Sequence, residues 1–162
     1  MTDESIDKAS LLQALAAARE DLLAAADAIP VDERTKRLVC GTWTLKDTLG
    51  HIADWEEIGV AGLRQMADGQ NPYVEHIADV DAWNAVHAEA RRDQPWTQVW
   101  ADLHSTRHAL TDILERMSQA DLDHEFAFPW GSKGTPTEWT LVLVQHERTH
   151  ARGLRENEPP HE

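Results

Sequence analysis

Apolar residues recur along most of the chain at spacings of three and four residues, and no stretch alternates apolar and polar positions. A three-to-four spacing places side chains on one face of an α-helix, whereas strict alternation is typical of a half-buried strand. The pattern predicts a first amphipathic helix over residues 5–28, limited by Pro30, and a second whose apolar stripe ends at Met66. The chain is therefore predicted to be all-α.

Short capping motifs indicate where two of the helices begin. Thr44 and Asp47 form a Thr-x-x-Asp sequence, and Thr135 and Glu138 form Thr-x-x-Glu. In both motifs the hydroxyl and the carboxyl group can each bond a backbone N–H that the first helical turn leaves without a partner. We therefore expect the second helix to open at Thr44 and the last helix to run from Thr135 to about residue 156.

The middle of the chain is predicted to hold a short helix, a long helix and a structured loop. A short helix over residues 80–90 would turn Trp83 and Val86 inward, and a long helix begins near Pro95, a residue favoured in the first turn. Residues 123–136 combine aromatic side chains with turn formers, which favours a loop lying over the end of the helices. Four long helices, one extra short helix and this aromatic loop predict a four-helix bundle.

Length and composition indicate one globular domain. The chain has 162 residues, of which 41% are hydrophobic, and this is enough to form a single core. We expect one domain over residues 1–157 and a short flexible tail over residues 158–162, where prolines and acidic residues concentrate. The only cysteine, Cys40, cannot form an internal disulfide.

The charge of the chain argues against nucleic-acid and membrane partners. The formal net charge is −14 and the pI is near 4.9, so the chain repels the phosphates that clustered basic residues would otherwise bind. No apolar run approaches the roughly 20 residues that a bilayer span requires. The first residues show neither a basic start nor an apolar signal core, so we expect a cytoplasmic protein.

The histidines separate according to the helix face on which they lie. Helical projection places His146 and His150 within about 20° of the centre of the apolar face of the last helix, which is predicted to turn Trp139, Val142, Leu143 and Gly153 into the core. Two inward imidazoles four residues apart can bind one first-row metal ion. His51 lies toward the flank of the second helix, from where it can reach an adjacent helix as a third ligand. Core histidines that hydrogen-bond to neighbouring side chains are the alternative interpretation.

A second pair with the same spacing is predicted to face solvent. His104 and His108 lie about 100° and 140° from the apolar centre of the third long helix. They are therefore poor candidates for metal ligands, although the spacing alone would suggest them.

Carboxylates and tryptophans near the inward histidines are candidates for a supporting shell. Asp47 and Asp54 flank His51 in sequence, and each can hold the ring N–H that a ligand histidine does not use. Glu147 adjoins His146, but at this net charge it is more simply interpreted as part of a solvated acidic face. Trp43, Trp55 and Trp139 are close to the histidines in sequence and can line a pocket, with ordinary core packing as the alternative.

Two parts of the sequence resemble a known family. The segment WTLKD at residues 43–47, followed by His51, and the pair His146 and His150 in the last helix are similar to motifs of the DinB/YfiT-like superfamily. Residues 43–55 and DVDAWN at 79–84 are also similar to its ClbS/DfsB-type branch. The resemblance implies a four-helix bundle in which three histidines and water hold a divalent metal ion, usually nickel or zinc. Carried over residue by residue, the ligands are His51, His146 and His150.

A site of this kind suggests two reaction types. Three neutral imidazoles leave the charge of the ion largely intact and leave coordination positions open, which is typical of catalytic sites. The resemblance implies either thiol transfer or hydrolysis, because the superfamily includes transferases that use low-molecular-weight thiols as well as metal-dependent hydrolases. We expect a metal-dependent enzyme acting on small electrophilic molecules, most simply a thiol transferase or detoxification protein that uses such a thiol as co-substrate. A hydrolase is the alternative, and no catalytic side chain is identified.

Two non-catalytic functions remain open as alternatives. The bundle can serve as a binding module that sequesters a small ligand, or chiefly as a dimerisation scaffold. Leu141 and Val144 are predicted on the outward face of the last helix, opposite the histidines, where apolar side chains are unexpected unless a partner covers them. We therefore expect a homodimer.

Overall fold

Four long helices form the body of the computed structural model, which describes residues 6–156. They are α1 (Lys8–Asp27), α2 (Leu45–Ala67), α4 (Trp96–Arg116) and α6 (Pro136–Glu156). The smaller elements are a 3₁₀ turn at Val31–Glu33, strands β1 (Leu38–Cys40) and β2 (Trp43–Thr44), helices α3 (Val80–Ala90) and α5 (Gln119–Leu122), and strands β3 (Phe126–Ala127) and β4 (Lys133–Gly134). The predicted four-helix bundle is confirmed. The predicted tail 158–162 lies outside the described residues, so the domain boundary stays a prediction.

The capping motifs begin the helices as the sequence predicts. The backbone N–H of Thr44 donates to Asp47 at 2.9 Å, and that of Asp47 donates to the Thr44 hydroxyl at 3.3 Å. The same reciprocal pair joins Thr135 and Glu138 at 2.7 and 3.2 Å. Each pair satisfies donors that a helix N-terminus otherwise leaves without partners.

The long helices pack chiefly in two pairs, α1 with α6 and α2 with α4, and α2 also contacts α6. The predicted stripe of α2 is buried in this core, with Leu45, Leu49 and Leu63 fully inaccessible. Gly59 lets α2 approach α6 closely, because a Cβ at this position would lie 2.0 Å from Nε1 of Trp139. Close contact between α2 and α6 is what brings their histidines within reach of one another.

The aromatic segment after α5 forms a hairpin against the bundle. Strands β3 and β4 pair antiparallel, with Phe126 opposite Gly134. Gly131 adopts a φ of 93° in the connecting turn, a conformation that side chains rarely allow. Phe126 and Phe128 are buried in the core cluster that also contains Trp139. The predicted structured loop is thus confirmed, although its two short strands and the similar pair β1–β2 were not predicted.

Three apolar side chains lie differently from the sequence prediction. Val144 is 3% exposed instead of facing outward, because the side of α6 that carries it packs into the same core cluster as Leu15 of α1. Val86 is 66% exposed, since α3 buries only part of one face; Val142, predicted in the core, is 40% exposed. Only Leu141 therefore remains of the predicted outward apolar pair.

The helices of the bundle all keep a polar side. On α6 the exposed strip includes Glu138, Gln145 and Arg148. None of the helices within residues 6–156 is long and apolar enough to cross a bilayer.

Candidate metal centre

Three histidines from two helices meet inside the bundle. His51 lies on α2, and His146 and His150 lie one turn apart on α6. Nε2 of His146 is 2.9 Å from Nε2 of His51 and 3.0 Å from Nε2 of His150. His51 and His150 are buried, whereas His146 is partly exposed. The inward orientation predicted for the α6 pair is confirmed, and His51 reaches them across the helix interface.

Hydrogen bonds between the three rings cannot satisfy all of their nitrogens. A ring nitrogen of neutral histidine offers either one N–H or one lone pair in the ring plane, yet Nε2 of His146 faces two other Nε2 atoms. One lone pair or one proton must therefore serve two neighbours. Within residues 6–156, Nδ1 of His150 is buried and has no hydrogen-bond partner. Protein groups alone leave this cluster incompletely satisfied.

A divalent cation fits the same arrangement. One candidate ligand atom from each of the three histidines lies within 4.8 Å of the others. Nitrogen ligands lie about 2.0–2.1 Å from a zinc ion, so two ligands of one ion can be as close as the Nε2 pairs seen here. Imidazole nitrogen suits nickel and zinc alike. The residues present therefore fit an ion held by three histidines.

Burial keeps the three imidazoles neutral. Removal from water, reinforced by the other two rings, lowers the pKa of His51 to about 2. Burial lowers the pKa of His146 to about 4, and burial together with His146 lowers the pKa of His150 to about 3. Neutral imidazole is the form that donates a lone pair to a metal ion, so the cluster is ready to bind one at neutral pH.

Two of the three predicted tryptophans line a cavity beside His146. The cavity has a volume of about 160 Å³. Its walls are Trp55, Val80, Trp130, Trp139, Val142, Leu143 and His146. The third predicted residue, Trp43, packs against His51 with ring centroids 4.8 Å apart and borders a separate cleft with Lys46. Trp43 thus supports the cluster from another side.

Two site residues were not identified from the sequence. Trp130, at the tip of the β3–β4 hairpin, stacks on Trp139 with ring centroids 5.5 Å apart. Asn84 of α3 is buried and accepts a hydrogen bond of 3.0 Å from Nε1 of Trp55, which fixes that ring. The aromatic turn around Trp130 was a usable signal for the first. A lone asparagine on a short helix gives no comparable signal.

The predicted supporting carboxylates have other partners in the structure. Asp47 caps α2 through its bonds to Thr44. Asp54 binds the guanidinium of Arg91 at 2.7 Å and lies 3.7 Å from Nδ1 of His87. Both carboxylates hold elements around the histidines in place, and their proposed bond to a ligand ring stays a prediction.

The interpretation of Glu147 as part of a solvated acidic face is wrong. Glu147 is 0% exposed and accepts bonds from Arg19 at 2.5 Å and from Arg107 at 2.7 Å. Glu56 accepts from the same two arginines. We call these four residues the buried quartet. Two carboxylates and two guanidinium groups balance in charge, and each long helix contributes one residue: Arg19 from α1, Glu56 from α2, Arg107 from α4 and Glu147 from α6. The quartet fixes α2 and α6, which carry the histidines, relative to each other.

The competing histidine pair lies on the surface as predicted. His104 is exposed, and the side chain of His108 is 80% exposed, 3.5 Å from Asp112. The two rings therefore do not join the buried cluster.

The fold and the site together define the class of protein: a four-helix bundle with an inward cluster of three histidines. The sequence model of the DinB superfamily matches residues 14–153. The chain belongs to the DinB superfamily. A comparison with curated proteins finds no match.

Solved structures share this fold at low sequence identity. The mycothiol-dependent maleylpyruvate isomerase aligns with a TM-score of 0.78 at 11% identity, over 92% of this chain and 61% of its own. YfiT from Bacillus subtilis is described as a probable metal-dependent hydrolase with an unusual four-helix bundle topology. It aligns with a TM-score of 0.75 at 18% identity, over 97% of this chain and 90% of its own. The colibactin self-resistance protein ClbS, in complex with a dsDNA, aligns with a TM-score of 0.76 at 15% identity, over 92% of this chain and 93% of its own. This chain thus spans about three fifths of the isomerase.

Proposed function

We propose that the protein is a metal-dependent enzyme acting on small molecules, in which His51, His146 and His150 hold one divalent ion. The observation that carries the proposal is the convergence of three neutral imidazole nitrogens beside an apolar cavity. Membership of the DinB superfamily and the likeness to YfiT add support. Nickel and zinc are the ions we propose, because both accept imidazole nitrogen.

Each part of the site has a distinct task in this proposal. A divalent ion, when bound, lowers the pKa of a coordinated water or thiol and polarises an electrophile. The three histidines supply lone pairs without adding negative charge. Trp55 and Trp139 exclude water from the side that faces the cavity, and the buried quartet holds α2 and α6 at a fixed separation.

Transfer of a low-molecular-weight thiol to a small electrophile is the reaction we propose. The likeness to a mycothiol-dependent isomerase supports thiol use, although this chain spans only 61% of that protein. Hydrolysis is the second candidate and is supported by the likeness to YfiT. A non-catalytic bundle that binds a small ligand is the third, and it applies if the protein binds no metal.

The choice of partners rests on the charge of this chain. ClbS shares the fold and its structure contains dsDNA, so the fold itself does not exclude nucleic acid. The net charge of −14 is our reason to propose a small-molecule substrate instead. A homodimer and a cytoplasmic location stay predictions, the dimer now resting on Leu141, which is 37% exposed.

A cobalt-substituted form separates the candidate reactions. Cobalt(II) reports on its ligands through its visible spectrum, and thiolate sulfur adds a charge-transfer band. Titration with small thiols should produce that band, and His150→Ala should abolish it. A spectrum that no thiol changes would exclude thiol ligation and favour hydrolysis, whereas failure to bind cobalt at all would contradict the metal site.

A further inference from the structure

The cavity beside His146 has walls of one chemical kind. Three tryptophans and three aliphatic side chains make up every wall except the one formed by His146, and none of these seven residues carries a charge. Trp139 is 1% exposed and Trp55 is 7% exposed, so the inner walls are almost inaccessible to solvent. Trp130 and Val142 are about two fifths exposed, at 39% and 40%, and form the mouth.

The aromatic walls are held in fixed positions. Nε1 of Trp55 donates to Asn84, and Nε1 of Trp130 donates to the Ser132 hydroxyl at 2.7 Å. Trp139 is clamped between Trp130, which stacks on one side, and Gly59 of α2. A cavity whose walls are already fixed need not order them when a ligand enters, which lowers the entropic cost of binding.

Volume and chemistry together limit the occupant. An apolar cavity of about 150 Å³ in a protein interior accommodates a benzene ring, and the cavity here measures about 160 Å³. Flat aromatic walls favour offset or edge contacts with such a ring. In the metal-free protein a carboxylate in the same place would lose its water and meet no cationic side chain, because none of the lining residues carries a charge, and this disfavours it strongly.

We propose that this cavity, with no metal ion at the histidines, binds a small uncharged molecule through one apolar ring and rejects carboxylates of the same shape. The ring would lie among the three tryptophans with its substituent toward His146. As a statement about the substrate this rests on the proposed function: the enzyme would then act on electrophiles that carry an apolar aromatic or cyclic group. The binding itself does not require the metal.

Nitrobenzene and benzoate test the proposal, because they have the same shape and differ in charge. Each is titrated into metal-free protein while the indole N–H resonances are followed by NMR. Nitrobenzene should shift the resonances of Trp55, Trp130 and Trp139 in a saturable way, and benzoate should bind about 100-fold more weakly or not at all, because its charge stays uncompensated. Equal affinities, or no saturable shift with nitrobenzene, would overturn the proposal.

A matched pair of variants locates the ring. Val142→Phe fills the cavity from its mouth and should weaken nitrobenzene binding about tenfold or more, because the added ring takes the same volume. Leu141→Phe introduces the same side chain at the preceding position, which is similarly exposed but does not line the cavity, and should leave the affinity for nitrobenzene unchanged. Equal effects of both would overturn the proposed location.

The metal content of each variant separates this proposal from the proposed function. Ring binding by a protein that takes up no metal would uphold the cavity assignment and refute the enzyme assignment. A protein that binds metal but does not bind nitrobenzene would refute the cavity assignment alone.

Discussion

The replacement Glu147→Gln tests whether the buried quartet holds the bundle together. It removes one of two negative charges that face Arg19 and Arg107 and leaves the side-chain volume almost unchanged. No cavity forms, so any loss of stability comes from electrostatics and hydrogen bonding. We expect the free energy of unfolding to fall by about 3–5 kcal/mol, the usual cost of leaving a buried charge without its partner.

The geometry places this replacement at the upper end of mutational effects. Glu147 is 0% exposed, and its two oxygens accept from Arg19 at 2.5 Å and from Arg107 at 2.7 Å. A neutral amide can accept only one of these charge-assisted bonds and turns an NH₂ group toward the other guanidinium. For a domain of this size each 1 kcal/mol corresponds to about 2–4 °C, so the melting temperature should fall by roughly 6–20 °C.

Urea unfolding followed by far-UV circular dichroism measures the effect. Glu57→Gln is the matched control, since it makes the same change at an exposed position on α2 next to Glu56 and should cost less than about 0.5 kcal/mol. A loss below about 1 kcal/mol for Glu147→Gln, with an unchanged urea dependence, would refute the reasoning that the quartet is a desolvated, charge-balanced unit.

Three further predictions follow from burial and packing. Because burial lowers the pKa of the three histidines below 6.5 in the folded state, the unfolded chain binds more protons at acid pH. The free energy of unfolding of the metal-free protein should therefore fall by about 1.4 kcal/mol per pH unit for each histidine as the pH falls below about 6, until the pH reaches the folded-state pKa of that histidine, about 4 for His146, 3 for His150 and 2 for His51. A pH series of urea midpoints that stays flat would contradict this. Gly59→Ala should destabilise the fold by about 1–3 kcal/mol, because its Cβ would overlap Trp139; unchanged unfolding and near-UV dichroism would disprove that packing. Leu141→Glu should convert a dimer of 18.2 kDa chains to monomer in light scattering, and a wild-type monomer would end the dimer prediction.

Local sequence signals predicted the helices well. The capping motifs at Thr44 and Thr135 act over three residues, and the stripe of α2 depends only on helical periodicity. The same local geometry turned His146 and His150 inward. These features do not depend on which helices are neighbours, so a single sequence contains them.

Contacts between helices were the part that the sequence did not predict. Glu147 is buried because two arginines from α1 and α4 meet it, and no pattern within α6 indicates their approach. Val144 is buried because that side of α6 packs into the core. Trp130 reaches the cavity only because the β3–β4 hairpin folds back over the bundle. Each of these outcomes depends on distant parts of the chain.

The metal content of protein purified without an affinity tag tests the central claim most directly. Elemental analysis should find about one nickel or zinc ion per chain in the unmodified protein, and His51→Ala, His146→Ala and His150→Ala should each lower it strongly. The matched control is His104→Ala/His108→Ala, a pair with the same spacing on the surface, which should retain the metal. Retention by the variants of the buried cluster, or loss by the surface pair, would contradict the account.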